Sequence, residues 1–182
     1  FPLLDDDRAF SCHLKVRDVW SLTPLPRRMI RFSVDGRQPH DDMPARQALA
    51  VLEWGLNLVI AMRFHCFLML HAAALERNGR VLLLPAAPGH GKTTLCAALA
   101  QRGWRLFSDE FGLVRPGTTL VVPMPRPMPL KNASIDVMRA FAPDIELGPL
   151  IPKTMKGTVA HLRPPTASVA CAACEAPAGW IV

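Results

Sequence analysis

The spacing of hydrophobic and polar positions changes several times along the chain, and each change predicts an element. Residues 8–34 alternate in the stretches FSCHLKVR and MIRFSVDG, which indicates strands. The Pro-rich stretch LTPLPRR separates these strands, and an Asp35-Gly36 turn ends them. From Ala45 to Phe64 the apolar residues recur at helical spacing, so we expect a buried amphipathic helix there.

The middle of the chain predicts a hairpin that leads into a loop and a helix. Two apolar runs, CFLMLHAAALE and RVLLLPA, flank Asn78-Gly79, the favoured pair for a tight turn. After the loop, GKTTLCAALAQRG contains good helix formers and ends at Gly103, and WRLFSDEFGLV returns to strand character. The predicted order is therefore strand, loop, helix, strand.

The last third of the chain is rich in proline and predicts shorter elements. Residues 115–130 favour extended or loop structure because of their many prolines. The stretch NASIDVMRAFA predicts a short helix, and KGTVAHLRPP predicts a strand that stops at Pro164.

The loop between the predicted strand and helix carries a phosphate-binding pattern. Ala86 to Thr93 reads AAPGHGKT, which departs from the Gly-x4-Gly-Lys-Ser/Thr pattern only by an alanine at the first position. Glycines let successive N–H groups point at phosphate oxygens, and the following helix N-terminus favours negative charge. The residues expected to bind nucleotide are Pro88, Gly89, His90, Gly91, Lys92, Thr93 and Thr94.

Individual residues of this loop have different expected contacts. Lys92 is expected to reach the outer phosphates, and the Thr93 hydroxyl to contact Mg²⁺. His90 is expected to act as a spacer through its backbone. The alternative is a Gly-rich turn that happens to contain lysine, but the position between an apolar strand and a helix favours nucleotide binding.

Three titratable residues are candidates for the chemistry. Asp109 and Glu110 follow the next apolar strand, and since neighbouring strand residues point to opposite faces, one of them is expected to face the phosphates. The alternative is two solvated carboxylates that enter a turn. His71 is predicted at the centre of the first hairpin strand, within reach of the loop, and the alternative for it is a satisfied core histidine.

Composition excludes several classes of protein. The 182 residues carry a net charge of +6, but the basic residues are dispersed, so we do not expect nucleic-acid binding. The apolar region 47–75 is interrupted by Glu53, Arg63 and His65, so no membrane span is expected.

The cysteines and the chain ends set the remaining expectations. The five cysteines are irregularly spaced, which favours a reducing cytoplasm over a disulfide framework, and CAAC at 171–174 lacks a second pair for a metal site. The sequence starts without Met and ends on GWIV, so we expect a fragment truncated at its C-terminus.

These residues together resemble the catalytic domain of bacterial HPr kinase/phosphorylase. The shared features are a His-bearing strand with His71, a hairpin, the loop PGHGKTT, a helix followed by QRGWRL, and the acidic pair Asp109-Glu110. The stretches RPMPLKNASIDVMRAFAP and KGTVAHLRPP look more closely like the HPr-kinase-related clade named kinase A. The resemblance covers residues 45–182, and residues 1–44 form a separate β-rich segment in this interpretation.

The resemblance implies an α/β fold of the phosphoenolpyruvate-carboxykinase-like P-loop type, with a mixed sheet. It implies that the acidic pair moves the proton of a serine hydroxyl, that His71 assists, and that Lys92, Thr93 and Glu110 contact phosphate or metal. This sequence departs from the family by Ala86, by Thr93 in place of Ser, by Glu110 in place of a second Asp, and by the lack of a later metal-binding Glu. The segment that docks HPr is not recognisable, so HPr is not carried over as the acceptor.

The expected function is Mg-ATP-dependent phosphotransfer to a protein hydroxyl. A small-molecule kinase and a nucleotide-binding regulatory module without transfer activity remain open, as do the acceptor and whether the chain forms a homo-oligomer.

Overall fold

The computed structural model describes residues 12–22 and 25–182, and the chain divides into two compact units, Phe1–Met62 and Arg63–Val182. Parts of the predicted N-terminal strands and of the Pro-rich connection fall on residues 1–11, 23 and 24, outside the described residues. The described elements of the first unit are β1 (Leu14–Ser21), β2 (Arg27–Val34), β3 (Met43–Pro44), a 3-10 turn (Ala45–Gln47) and α1 (Ala48–Arg63).

Helix α1 packs against strand β2 in the first unit, and this packing decides where the unit ends. Phe32 and Ile30 of β2 are buried together with Val51 of α1. A Cβ added at Gly55 would lie 2.2 Å from the Phe32 ring, so this helix position has to be glycine for the ring to fit. The two compact units divide after Met62, and the boundary predicted after Pro44 stays a prediction. The predicted helix is present, although one of its apolar residues, Leu49, is 42% exposed.

The second unit contains the remaining elements, and every residue of it is described. Its strands are β4 (Leu68–Leu70), β5 (Ala72–Arg77), β6 (Arg80–Pro85), β7 (Arg105–Ser108), β8 (Gly112–Val114), β9 (Leu120–Val122), β10 (Met128–Lys131), β11 (Ile151–Thr154), β12 (Gly157–Leu162) and β13 (Ala176–Ile181). Its helices are α2 (Lys92–Gln101), α3 (Ala133–Phe141) and α4 (Thr166–Ala170).

Within Arg63–Val182 the strands form a seven-stranded sheet in the order β4-β8-β9-β13-β6-β5-β7 and a three-stranded sheet in the order β10-β12-β11. Strand β13 runs parallel to β6, and the other pairs are antiparallel, so the large sheet is mixed. The protein is therefore an α/β protein with a mixed sheet and additional small antiparallel sheets, as the sequence predicts at this level.

The predicted hairpin determines which strand ends meet. Strands β5 and β6 pair across the Asn78-Gly79 turn, and β5 also pairs with β7. Because β6 and β7 are both antiparallel to β5, they run in the same direction, and α2 connects them across β5. The ends of β6 and β7 and the start of β5 consequently lie at one edge of the sheet.

Helix α2 packs against both sheets through one face, while Leu95 on its other face is 49% exposed. One cluster of buried side chains contains residues of β5, β6 and β7 on one side of α2 and residues of β10, β12 and α3 on the other. The helix contributes Cys96, Ala97 and Ala100, whose small side chains let both sheets come close. The N-terminus of α2 therefore lies between the edges of the two sheets.

The prediction for His71 is wrong in its local structure. His71 lies in a bend between β4 and β5 and not at the centre of a hairpin strand. Opposite this bend, Asp109 to Phe111 interrupt the chain between β7 and β8. Ala74 pairs with Ser108 on one side of the interruption and Leu70 with Gly112 on the other, in the same register. The two bent strands thus separate where His71 and the acidic pair lie.

No helix in the described ranges has the length and apolar character that crossing a lipid bilayer requires.

Asn132 ties the small sheet to the start of α3. Its side-chain carbonyl accepts a hydrogen bond from Thr158 N at 3.0 Å, and its amide donates to Lys156 O at 3.3 Å. Gly157 lies between these two contacts with φ 87°, and a Cβ added there would meet Asn132 Oδ1 at 2.2 Å. The turn between β11 and β12 therefore depends on glycine.

Replacing Gly157 with Ala should lower the free energy of unfolding by about 2–3 kcal/mol, since it combines left-handed backbone strain with displacement of the Asn132 amide. Gly117→Ala is the matched control, because Gly117 has φ 73° but nothing within 4 Å of the added Cβ, so only backbone strain of about 1 kcal/mol applies. Urea unfolding measures both variants. Equal losses would show that the Asn132 contact is not a constraint.

Candidate functional site

A cleft of about 480 Å³ lies at the strand ends in the second unit. The loop and first turn of α2, from Ala87 to Thr94, form its floor. His71 and Glu110 of the large sheet line one side, and Pro129, Lys131, Ser134 and Lys156 line the other. The cleft therefore brings together groups from three separate parts of the chain.

The loop has the backbone that a phosphate site needs. Gly89 and Gly91 have φ of 88° and 82°, and an added Cβ at either would meet nothing within 4 Å, so the loop backbone faces open space. Helix α2 begins directly after Gly91, without a capping side chain and without an acidic residue in its first turn. The first N–H groups of the helix are thus left available to an anion.

Pro88, Thr93 and Thr94 line the cleft beside the two glycines, whereas the His90 ring does not. His90 Nδ1 lies 3.2 Å from Ala87 O, so the ring folds back on the loop. This placement agrees with the expectation that His90 acts through its backbone.

Lys92 projects into the cleft with a buried ammonium group. Within residues 12–22 and 25–182, Lys92 Nζ is buried and has no hydrogen-bond partner. Burial lowers the pKa of Lys92 from its usual value of 10.5, the nearby Glu110 and Asp109 raise it in part, and Lys131 adds to the lowering. A buried ammonium that lacks hydrogen bonds is costly unless an anion binds it.

The two carboxylates occupy different environments. The Glu110 side chain is 25% exposed and lines the cleft, whereas Asp109 is 5% exposed and does not line it. Ser108 Oγ accepts hydrogen bonds from Glu110 N at 3.2 Å and from Phe111 N at 3.0 Å. These bonds hold the turn in which both carboxylates lie. Asp109 lies deeper, because its charge acts on both Lys92 and the buried Cys96 thiol.

His71 is a cleft residue and not a core histidine. Its side chain is 52% exposed, and Nδ1 lies 3.8 Å from Glu110 Oε1. This separation is longer than a hydrogen bond but within reach through a small side-chain movement or one water molecule. The alternative of a satisfied core histidine is therefore wrong.

The basic side of the cleft was missed by the sequence prediction. Lys131 ends β10, Ser134 lies in the first turn of α3, and Lys156 lies in the turn between β11 and β12. These residues are distant in sequence from the loop and match no phosphate-binding motif. Only the pairing of β10 with β12, which requires the tertiary fold, brings them together.

A magnesium ion carried by a nucleotide fits the residues present. Across the described chain, His, Cys, Asp and Glu side chains form no group of three or more that could hold a metal ion. Thr93 and Glu110 both line the cleft, and Mg²⁺ commonly takes one or two protein ligands together with phosphate oxygens and water. Lys92 and the loop amides fit the phosphates themselves.

Comparison with protein-family models, curated proteins and solved structures finds no match for this chain.

Replacing Lys92 with Met should raise the stability of the ligand-free protein at pH 7. The lowered pKa means that the charged form is disfavoured on folding, and this penalty is complete below the folded-state pKa. The penalty disappears as the pH rises from the folded-state pKa to the unfolded value near 10.5. Over this pH range the free energy of unfolding of the parent should therefore rise relative to that of the variant. Urea unfolding at a series of pH values measures the difference, and a variant less stable than the parent at pH 7 would contradict it.

Proposed function

We propose that this protein is a cytoplasmic, Mg-ATP-dependent phosphotransferase that phosphorylates a hydroxyl group on a protein. We also propose that its second unit is a P-loop domain of the phosphoenolpyruvate-carboxykinase-like type, related to HPr kinase and its kinase A clade. The β6–loop–α2–β7 connection supports this fold, since it delivers the loop and the acidic pair to one edge of the sheet.

The buried ammonium of Lys92 carries the proposal. It lies at the first residue of α2, between two glycines of positive φ and a carboxylate, and it lacks a hydrogen-bond partner in the described parts of the chain. A structural lysine would be paired or would extend its ammonium into water. A phosphate chain in the cleft would satisfy Lys92 and the first amides of α2 together.

The remaining cleft residues support phosphate transfer rather than binding alone. When bound, Mg-ATP supplies the phosphoryl group, and the metal neutralises part of its charge. Thr93 and Glu110 can hold the metal, and the loop amides and Lys92 hold the phosphates. Glu110 or Asp109 can accept the hydroxyl proton while the acceptor oxygen bonds to phosphorus and the bond to the bridging oxygen breaks.

The geometry favours Glu110 over Asp109 for direct contact with an acceptor. Glu110 lines the cleft beside His71, which can share or relay the proton. Asp109 is buried below the loop near Lys92, where its charge helps to keep that ammonium protonated. The sequence alone left the assignment of the base open.

A nucleotide-binding module without transfer activity is the second candidate. It is favoured by the presence of only one carboxylate, Glu110, among the residues that line the cleft in this fully described unit. If Glu110 is occupied as a metal ligand, no other exposed carboxylate of the cleft is left to act as the base.

Lys92→Met should weaken Mg-ATP binding by at least about tenfold, since it removes a charge-assisted contact to phosphate. Lys153→Met is the matched control, because Lys153 is an exposed lysine of β11 that does not line the cleft, and the net charge changes equally. Calorimetric titration with Mg-ATP measures both variants. Equal affinities of the parent and Lys92→Met would remove the phosphate-site assignment.

If Glu110 is the base, Glu110→Gln should reduce phosphate transfer by on the order of 10²- to 10⁴-fold with a smaller effect on Mg-ATP affinity, because a base acts on the acceptor proton. An equally large loss of Mg-ATP affinity would assign Glu110 to the metal instead. Asp109→Asn should affect transfer and nucleotide affinity together, through Lys92. The assay follows label from γ-labelled ATP into proteins and into small metabolites of the source cell, including the products of neighbouring genes. Binding of Mg-ATP by the parent without transfer to any acceptor would favour the second candidate.

A further inference from the structure

The side of the cleft opposite Glu110 is positively charged. Lys131 and Lys156 both line it, together with the Ser134 hydroxyl. In the described ranges, no carboxylate forms a salt bridge with Lys131, and the lining residues contain one acidic side chain, Glu110, on the other side. Together with Lys92 in the floor, the cleft therefore presents three lysines to one carboxylate.

The backbone around Lys131 is held firmly. Ser134 Oγ accepts a hydrogen bond from Lys131 N at 2.7 Å and donates one to Lys131 O at 2.7 Å. The next residue, Asn132, adopts φ 50°, which is unusual for a residue other than glycine. Both features limit the positions from which the Lys131 side chain can reach into the cleft.

The backbone of Lys156 is held to the same junction. The Asn132 amide donates to Lys156 O, and Lys156 N donates to Thr154 Oγ1 at 3.0 Å. Lys131 at the end of β10 and Lys156 in the turn between β11 and β12 are therefore both held near Asn132.

Lys131 lines the same cleft as Lys92, and the charges of the two lysines interact. The Lys131 charge contributes to lowering the pKa of Lys92, so the two ammonium groups are close enough to repel each other. Such a pair of cations is stabilised by an anion placed between them. An anion held by the loop and Lys92 is therefore also within the field of Lys131.

We propose that Lys131 and Lys156 form a second anion subsite, which binds the terminal phosphate of a nucleoside triphosphate from the side opposite Glu110. The subsite rests on the proposed function, since it completes the phosphate site around Lys92. We favour the terminal phosphate over an anionic acceptor as the ligand, because Lys131 lines the same cleft as Lys92. The acceptor hydroxyl approaches from the side of Glu110 and His71.

This subsite predicts that the protein distinguishes nucleoside triphosphates from diphosphates. A diphosphate satisfies the loop and Lys92 but does not extend a further phosphate to Lys131 and Lys156. The parent should therefore bind ATP more tightly than ADP, and the difference should depend on the two lysines and not on the loop.

Lys131→Met should lower ATP affinity by on the order of tenfold, the value of one charge-assisted contact, and should change ADP affinity by less than about twofold. Lys131→Arg should keep most of the selectivity, because it retains the charge. Lys156→Met, at an exposed turn, should show the same selective loss and provides a second variant if Lys131→Met folds poorly. Lys153→Met is again the matched control, with parental affinity for both nucleotides.

The experiment is calorimetric titration of the parent and each variant with Mg-ATP and Mg-ADP at one fixed salt concentration. A loss confined to ATP supports the subsite, whereas an equal loss for both nucleotides, or no loss in either lysine variant, overturns it. If Lys92→Met weakens ATP binding while Lys131→Met and Lys156→Met keep the parent's ratio of ATP affinity to ADP affinity, only the subsite is wrong. If Lys92→Met also leaves ATP binding unchanged, the proposed function and the subsite are both wrong.

Discussion

The packing of α2 against two sheets is the constraint on which the rest of the second unit depends. Cys96, Ala97 and Ala100 of this helix are at most 4% exposed, with the large sheet on one side and the small sheet and α3 on the other. Larger side chains at these positions would separate the two sheets, and interiors tolerate such overpacking poorly. Because the middle of the helix is fixed on both sides, its N-terminus and the preceding loop lie between the two sheet edges. The cleft is therefore a consequence of how α2 is packed.

The same packing separates the charges of the cleft. The large sheet brings the carboxylates, because β7 ends at Ser108 and the acidic pair follows, whereas the small sheet and α3 bring Lys131 and Lys156. Lys92 lies between the two groups, where its burial lowers its pKa although both carboxylates oppose the change. The ligand-free cleft thus contains a group that weakens the fold, as functional sites commonly do.

Local patterns predicted the elements that follow local rules, and tertiary contacts decided the others. The Asn78-Gly79 hairpin, the helix after the loop, and the short helix that became α3 were all predictable, because turn residues and helix formers act over a few positions. The bend at His71 was not, since its sequence is as apolar as a continuous strand and the break arises from pairing with two different strands. The contact of Gly55 with Phe32 was not predictable either, because it forms only once both elements are folded. Lys131 and Lys156 were missed for the same reason, as β-sheet pairing brings them together.

The separation of the two bent strands explains why adjacent carboxylates have different surroundings. In an uninterrupted pair of strands, Asp109 and Glu110 would point to opposite faces of the sheet, and both faces of β5 and β7 are buried. Because the strands separate at His71 and at Asp109 to Phe111, Glu110 is released to the cleft and Asp109 stays near Lys92 and Cys96. The Glu110 side chain is therefore partly exposed to solvent, whereas Asp109 is shielded from it. One break in the strand pairing thus gives two chemically similar residues two different surroundings.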